Sequence, residues 1–348
     1  GPGAWAGRDA RLTTYVGEWA LRRGTRTQNT TQMGTTRILG LVRYYYGASS
    51  KITVFEQAAT LFSFDGTSAT SIAAAWVTTG TEVFFAQLDD ILYAAGIGAT
   101  PRRWTGSGDA RAAGFPAPGT TATVAVGAAG ALTGDYKYKV TFVYDSTTSH
   151  ESSASAASAT VSPSSQKVDL SAIALGGASA GVTSRKIYRT KAGGALYYEL
   201  TTIADNTTTV YTDNIADTAL GSAQAPADNA VPPSAAFIAI WRGRMVMAKT
   251  SANPSRVFFS AVASTERAPT GTLTVHGANA EIFPADHWID VGDDNRPITG
   301  ICVWRDELFV FKETETFVIR LEFAGDPPTV WNTGQNVGAI SARSIVNM

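Results

Sequence analysis

The sequence predicts an all-β protein made of a repeated four-stranded unit and interrupted once by a second β-rich segment. Three observations predict it. Apolar residues alternate with a period of two far more often than 3.6, hairpin-like stretches of one form recur, and two Pro/Gly/Ala-rich stretches bracket a segment that breaks their rhythm. Composition agrees, because only 16% of the residues are charged and the chain is dense in Gly, Ala, Thr and Ser, which suits strands joined by many turns.

From the start, "DARLTTYVGEWALRR" (9–23) keeps some apolar spacing, yet its Thr, Tyr, Val and Gly make it a poor helix. It runs into "ALRRGTRTQNTTQMGTTR" (20–37), where Arg22, Arg23, Arg26 and Arg37 are separated by Thr, Gln, Asn and Gly. That composition suits an extended polar arm, and residues 1–48 read as an arm with a lead-in strand.

"SKITVFEQAATLFSFDG" (50–66) then alternates in two short runs about a tight connection, as a β-hairpin does. The same form returns at Asp90–Gly106, Arg242–Ser260 and Arg305–Arg320. The first two copies lie about 40 residues apart, the length of one four-stranded propeller blade, and the second and third about 150 apart. Removing residues from about 115 to about 226 restores a spacing of about 40. The spacing therefore predicts first blades over 49–115, an inserted segment over 116–226 and further blades over 227–348.

The insert has sharp edges. "GFPAPGT" (114–120) and "SAQAPADNAVPPS" (222–234) are linkers whose prolines resist both helix and central strand. Between them about 105 residues remain, the size of one β-sandwich. Strands are expected at 136–145, 157–163, 166–171, 185–191, 196–203 and 207–214. Tyr136, Tyr138 and Phe142 alternate so that one face of the first is aromatic.

Here residues carry a resemblance. "SRKIYRT", "YYELTTIADN" and "YTDN" make the insert similar to fibronectin type III-like modules of tailed-phage virion proteins. The flanking "LDDILYAAGIGATPRRWTG" and "FIAIWRGRMVMAKTSANPSRVFFSA" resemble β-propeller blades of phage tail-hub, or nozzle, proteins. The resemblance implies a structural protein of the phage tail, made in the bacterial cytoplasm. It would form a homo-oligomeric ring, of six copies in many such proteins, around a DNA channel between portal, adaptor and tail fibres. On that reading Arg22, Arg23, Arg26 and Arg37 are candidate assembly or DNA-channel contacts, gripping phosphates without reading sequence.

The chemistry-bearing residues point to neither catalyst nor cofactor. His150 sits in the Ser-rich "TTSHESS", where an exposed loop is expected, and His276 beside a turn. His287 lies near Asp286, Asp290, Asp293 and Asp294 in "FPADHWIDVGDDN", but without the regular ligand spacing of a Ca²⁺ loop, so a plain acidic turn is expected. "GIGATPRRW" has no lysine following its glycines as a phosphate cradle needs. Glu56, Glu82, Glu199 and Glu281 read as the polar sides of strands. Cys302, the single cysteine, sits in an apolar run and excludes an internal disulfide. Trp241 and Trp304 precede a charged corner in matching places, which makes them equivalent residues of two blades.

Net charge is −1, and no apolar run reaches the roughly 18 residues of a membrane span. Residues 1–116 carry 11 Lys/Arg against 8 Asp/Glu and residues 227–348 carry 10 against 13, a mildly basic start and a mildly acidic end. Two alternatives stand beside the structural role: a module that binds host-surface glycan through the insert's tyrosines, and a propeller enzyme. Three scattered histidines rank the enzyme last.

Overall fold

The computed structural model describes residues 10–12, 19–21, 36–47, 50–144, 150–177, 181–262, 265–267, 273–275, 279–320 and 328–345. With 46% strand against 2% helix, the protein is all-β and built of several small antiparallel sheets. Its strands begin with a hairpin of β1 (Ala10–Leu12) and β2 (Trp19–Leu21). The first four-stranded sheet follows as β3 (Ile38–Tyr46), β4 (Ser50–Gln57), β5 (Thr60–Phe64) and β6 (Ala69–Ala73). The second is β7 (Phe84–Leu88), β8 (Ile91–Ala95), β9 (Arg102–Trp104) and β10 (Arg111–Ala112).

Seven strands then build a different unit: β11 (Thr123–Thr133), β12 (Tyr138–Tyr144), β13 (His150–Glu151), β14 (Ser164–Ser171), β15 (Val182–Thr190), β16 (Tyr197–Ile203) and β17 (Tyr211–Asp213). Afterwards the first pattern resumes. The third sheet holds β18 (Phe237–Trp241), β19 (Arg244–Ala248) and β20 (Arg256–Phe259). A short hairpin of β21 (Thr265–Arg267) and β22 (Leu273–Val275) precedes its last strand, β23 (Trp288–Asp290). The fourth sheet is β24 (Gly300–Trp304), β25 (Glu307–Phe311), β26 (Thr316–Arg320) and β27 (Thr329–Asn332).

In each of these four sheets neighbouring strands follow chain order and pair antiparallel. The four hairpins legible in the sequence fall on the two middle strands each time: β4 with β5, β8 with β9, β19 with β20 and β25 with β26. The first corner of the third sheet is Arg242–Gly243 and that of the fourth is Arg305–Asp306. All four residues have positive φ (51°, 76°, 48° and 65°), the two-residue turn whose twist matches antiparallel strands.

Stacking explains why the middle strands are so apolar. Leu92 and Ala94 of β8 join Val54 and Leu61 of the first sheet in one core, while Tyr93 and Ala95, between them, join Ile238, Met245 and Met247 of the third. Val246 and Ala248 of β19 point the other way and meet Leu308 and Val310 of the fourth. Successive residues thus bury against different neighbours, so both faces of a strand lose water. At about 1.5–3 kcal/mol for each large apolar side chain removed from water, these three interfaces dominate the stability of the stack. The first strands also touch in chain order, β3 with β7, β7 with β18 and β18 with β24.

The middle unit has two sheets, ordered β11-β14-β17 and β13-β12-β15-β16. One core lies between them, with Leu132, Val168 and Leu170 meeting Tyr138, Val140, Ile187 and Leu200. One strand went unpredicted and one predicted strand is absent. Strand β11 was invisible to alternation because "TVAVGAAGALT" is Gly/Ala-rich and its pairing with β14 shifts register repeatedly. Conversely, 157–163 is not a strand.

Just before it, and overlapping it at Ser158, runs a serine ladder. Ser152, Ser155 and Ser158 recur every three residues, the repeat of an extended polyproline-like turn. Each backbone N–H donates to β12, at the carbonyls of Phe142 (2.9 Å), Val140 (2.8 Å) and Tyr138 (2.8 Å). Each hydroxyl accepts from the N–H of that same β12 residue, at 3.0, 3.0 and 2.9 Å. The segment therefore satisfies an open strand edge without itself being a strand. Ser155→Ala leaves the buried Val140 N–H without its acceptor and should destabilise the protein by about 1–3 kcal/mol, measured by urea unfolding; a neutral result would deny the ladder its role.

Candidate functional site

Ionisable groups gather where the chain leaves the second sheet for the middle unit and later returns. Gly114 takes φ +84°, and a Cβ there would lie 2.4 Å from Pro232 Cδ, so the outgoing and returning linkers cross in contact at a residue that must be glycine. The Gly114 N–H donates to Glu281 Oε2 (2.7 Å). The other carboxylate oxygen accepts from the Tyr93 hydroxyl (2.9 Å) and lies 3.1 Å from Arg103 Nε. The Arg103 contact is better read as an ion pair than as a hydrogen bond, since its Nε geometry satisfies only the distance.

Glu281 is 3% exposed and stands in a turn, not on the polar side of a strand as its sequence neighbours suggested. Burial and then the Glu281 charge push the Tyr93 phenol far above its ordinary value, so it stays protonated as a donor. With the Gly114 N–H and the Tyr93 hydroxyl as donors and Arg103 as its ion-pair partner, Glu281 is committed to holding sheet, linker and loop together.

Beside this cluster lies a cleft of about 780 Å³ lined by residues of the second sheet, the middle unit and the 279–281 turn. His150, expected in an exposed loop, stacks on Phe115 here (ring centroids 5.0 Å apart) and lies 3.1 Å from Asn279 Nδ2. Phe115 also packs with Tyr144 and, together with Phe142, Ala261 and Ile282, makes an apolar seam between the middle unit and the third sheet. The Tyr144 hydroxyl donates to Pro116 O (2.6 Å), and burial raises its pKa to about 12. Asn229 on the returning linker donates from its N–H to Ser153 Oγ and from Nδ2 to Glu151 O. The middle unit is therefore clamped against the stacked sheets by apolar contacts ringed with hydrogen bonds.

The acidic stretch 283–295 carries strand β23 at Trp288–Asp290 with turns on either side. Asp290 faces Arg256 with two hydrogen bonds of 2.7 and 2.8 Å, and that guanidinium lies 3.3 Å from the Trp288 ring centroid. Asp293 accepts from the Asn295 N–H, which holds its carboxyl below the usual range. Lys312, fully buried, donates to the Asp293 carbonyl and to Ser255 Oγ, and desolvation lowers its pKa. Among the described residues no three His, Cys, Asp or Glu side chains come together as metal ligands, and no helix is long and apolar enough to cross a membrane. His287 is buried within the loop, and His276 lies outside the described residues.

Of the basic arm only Arg37 is described, exposed immediately before β3; Arg22, Arg23 and Arg26 lie outside the described residues. Glu56 is on β4 but fully buried, accepting from the Ala59 N–H at the hairpin turn (2.8 Å), and Glu82 precedes β7, where it pairs with Arg343. Glu199 alone fits the strand-surface expectation, pairing with Lys186 across β15 and β16. The Tyr93–Arg103–Glu281 cluster had no signal in the sequence, because its partners stand up to 188 positions apart. No protein-family model matches this chain, and no curated protein matches it.

Glu281→Ala should cost about 3–5 kcal/mol in a chemical unfolding assay, because the buried Tyr93 hydroxyl then loses its acceptor and the half-buried Arg103 its ion-pair partner. A loss of less than about 1 kcal/mol would mean the cluster is solvated and not a clamp.

A second expectation concerns acid. Asp205 accepts the N–H groups of Thr207 and Thr208 (both 2.8 Å) and pairs with Arg185, and the Thr208 backbone bond leads in holding its carboxyl well below 3.8. A depressed carboxylate contributes stability above its unfolded pKa and loses it as pH falls through the folded one. Asp205→Asn should therefore lower Tm at neutral pH and flatten the fall of Tm below pH 3.8; an unchanged acid limb would contradict this.

Proposed function

We propose that this chain is a structural virion protein of a tailed bacteriophage, a tail-hub or nozzle component. Its four stacked sheets act as β-propeller blades, and residues 116–226 form a fibronectin type III-like sandwich inserted between the second and third. The observation that carries the reading is the plan of the four sheets, each an antiparallel meander in chain order with contiguous first strands, which is how blades are arranged around a propeller axis. The repeat phrases that resemble nozzle blades lie on these sheets. The sandwich is fibronectin-like in its two-sheet architecture but not in strand order. Its last strand, β17, shares a sheet with its first, β11, whereas immunoglobulin-type orders separate first from last.

On this reading the work is mechanical. Rigid sheets hold a ring, the clamped sandwich projects from it as an attachment point, and the arm with Arg22, Arg23, Arg26 and Arg37 contacts neighbouring copies or the phosphates of passing DNA. The pairing of Glu281 with Tyr93 and Arg103, and of Asp290 with Arg256, suits a mechanical joint better than a catalytic centre. Burial of Tyr136, Tyr138, Tyr144 and Tyr188 within the insert disfavours the glycan-binding alternative.

Antibody raised against the purified chain and coupled to gold should label the tails of the phage that encodes it, below the portal vertex. Label on the capsid shell, or none on intact and opened particles, would overturn the proposal.

A further inference from the structure

Arg102 stands on the face of β9 that packs against the first sheet. Its cross-strand neighbours are Ala94 of β8 and Ala112 of β10, and directly opposed residues of an antiparallel pair share a face. Ala94 and Trp104 lie on that face, in the core shared with Tyr44, Val54 and Leu61 of the first sheet. A guanidinium thus sits in the seam between two sheets, flanked by two alanines too short to cover it.

Its surroundings do not satisfy it. Arg102 Nε is sealed from solvent and meets no hydrogen-bond partner. Three other buried arginine Nε atoms share that state, but Arg103 faces Glu281, Arg189 is held by Asp213 and Asp217, and Arg244 donates to the Ser260 carbonyl. For Arg102, burial lowers the pKa, and among the described residues no carboxylate stands close enough to oppose the shift. Such a group costs free energy in the folded chain, because water has been withdrawn from a charge and nothing has replaced it.

The seam opens beside it. A cleft of about 430 Å³ runs between the last strands of the first and second sheets, lined by Arg102, Arg111 and the short side chains of Ser71, Ala73, Ala110 and Ala112. The Ala110 N–H donates to the Ile72 carbonyl (2.7 Å), which ties the two sheets together at the cleft. Arg111 brings a second guanidinium, and its Nη1 packs so closely on Gly181 of the middle unit that a Cβ there would collide with it. Against these two cations the lining supplies one acid, Asp109, which is exposed.

We propose that this cleft is a binding site for a small organic oxyanion, a carboxylate or a phosphate monoester, whose charged group pairs with Arg102 and whose body lies against the alanine wall. A guanidinium fork meets two oxygens of either group at once, and Arg111 approaches from the edge strand. The excess of positive charge sets the sign of the ligand, and walls made almost wholly of alanine favour an apolar body. A volume of this order accommodates a single ring. Neither the cleft nor its charge depends on a role in the phage tail.

Isothermal titration calorimetry of the whole chain at low ionic strength tests this with benzoate, phenyl phosphate and the neutral benzyl alcohol. At least one of the anions should bind with a Kd below about 1 mM, and the alcohol should not bind. Which anion binds more tightly tells a carboxylate site from a phosphate site. Arg102→Met, similar in length and without charge, should weaken that binding about tenfold or more and raise Tm in anion-free buffer, since an unpaired buried charge has been removed. Ala112→Leu keeps both guanidiniums but fills the cleft, and should weaken binding by a similar factor. No binding of either anion below about 10 mM, an affinity unchanged in Arg102→Met, or benzyl alcohol bound as tightly as the anions would each overturn the proposal. A Tm lowered by Arg102→Met would also overturn it, because the guanidinium would then be holding the sheets together and not serving a ligand.

Discussion

The architecture depends on burying both faces of each middle strand. An isolated four-stranded sheet with "ILYAA" or "RMVMA" in its middle would expose an apolar surface on at least one side, and stacking against two neighbours removes it. The hydrogen bonds from the Tyr44 hydroxyl to the Asp90 carbonyl and from the Trp241 indole to the Asp306 carbonyl, each at the first corner of the next sheet, add direction to a force that has none. They fix how far one sheet slides over the next, while the alternating core supplies most of the free energy. Lys312 plays a related part at the last internal interface, where its donors hold the loop after β23 against the fourth sheet at the cost of desolvating a charge.

The middle unit solves a different problem. It has its own core, so its attachment need not supply folding energy and can be specialised for holding. The seam around Phe115 and the Glu281 cluster sit where the two linkers cross, which places the most polar joint at the point of greatest leverage. Arg189 shows the same principle inside the sandwich, with Asp213, Asp217 and the Ile215 carbonyl surrounding a guanidinium fully removed from solvent.

How much was legible follows from how local each signal is. The middle hairpins could be read because each is a local pair of short apolar-rich runs about a turn that recurs along the chain, and the linkers because proline constrains its own backbone. The match between Trp241 and Trp304 could be read; that one is enclosed and the other open could not, since this depends on what stacks beyond. Strand β11 was hidden by its glycines and bulges, and 157–163 reads as a strand because its small residues alternate, although only Val161 forms a single β-bridge there. The Glu281 cluster was beyond reach because it joins residues from three separate parts of the chain.

The crossing of the linkers at Gly114 and Pro232 has a consequence for how such a chain could change over time. Because the ends of the middle unit already touch, the stack experiences it as a loop whose closure entropy varies only with the logarithm of its length. A unit grafted at that point can be lengthened away from its seam with little disturbance to the sheets beneath, so the joint is a socket in which new surfaces can be tried on an unchanged framework.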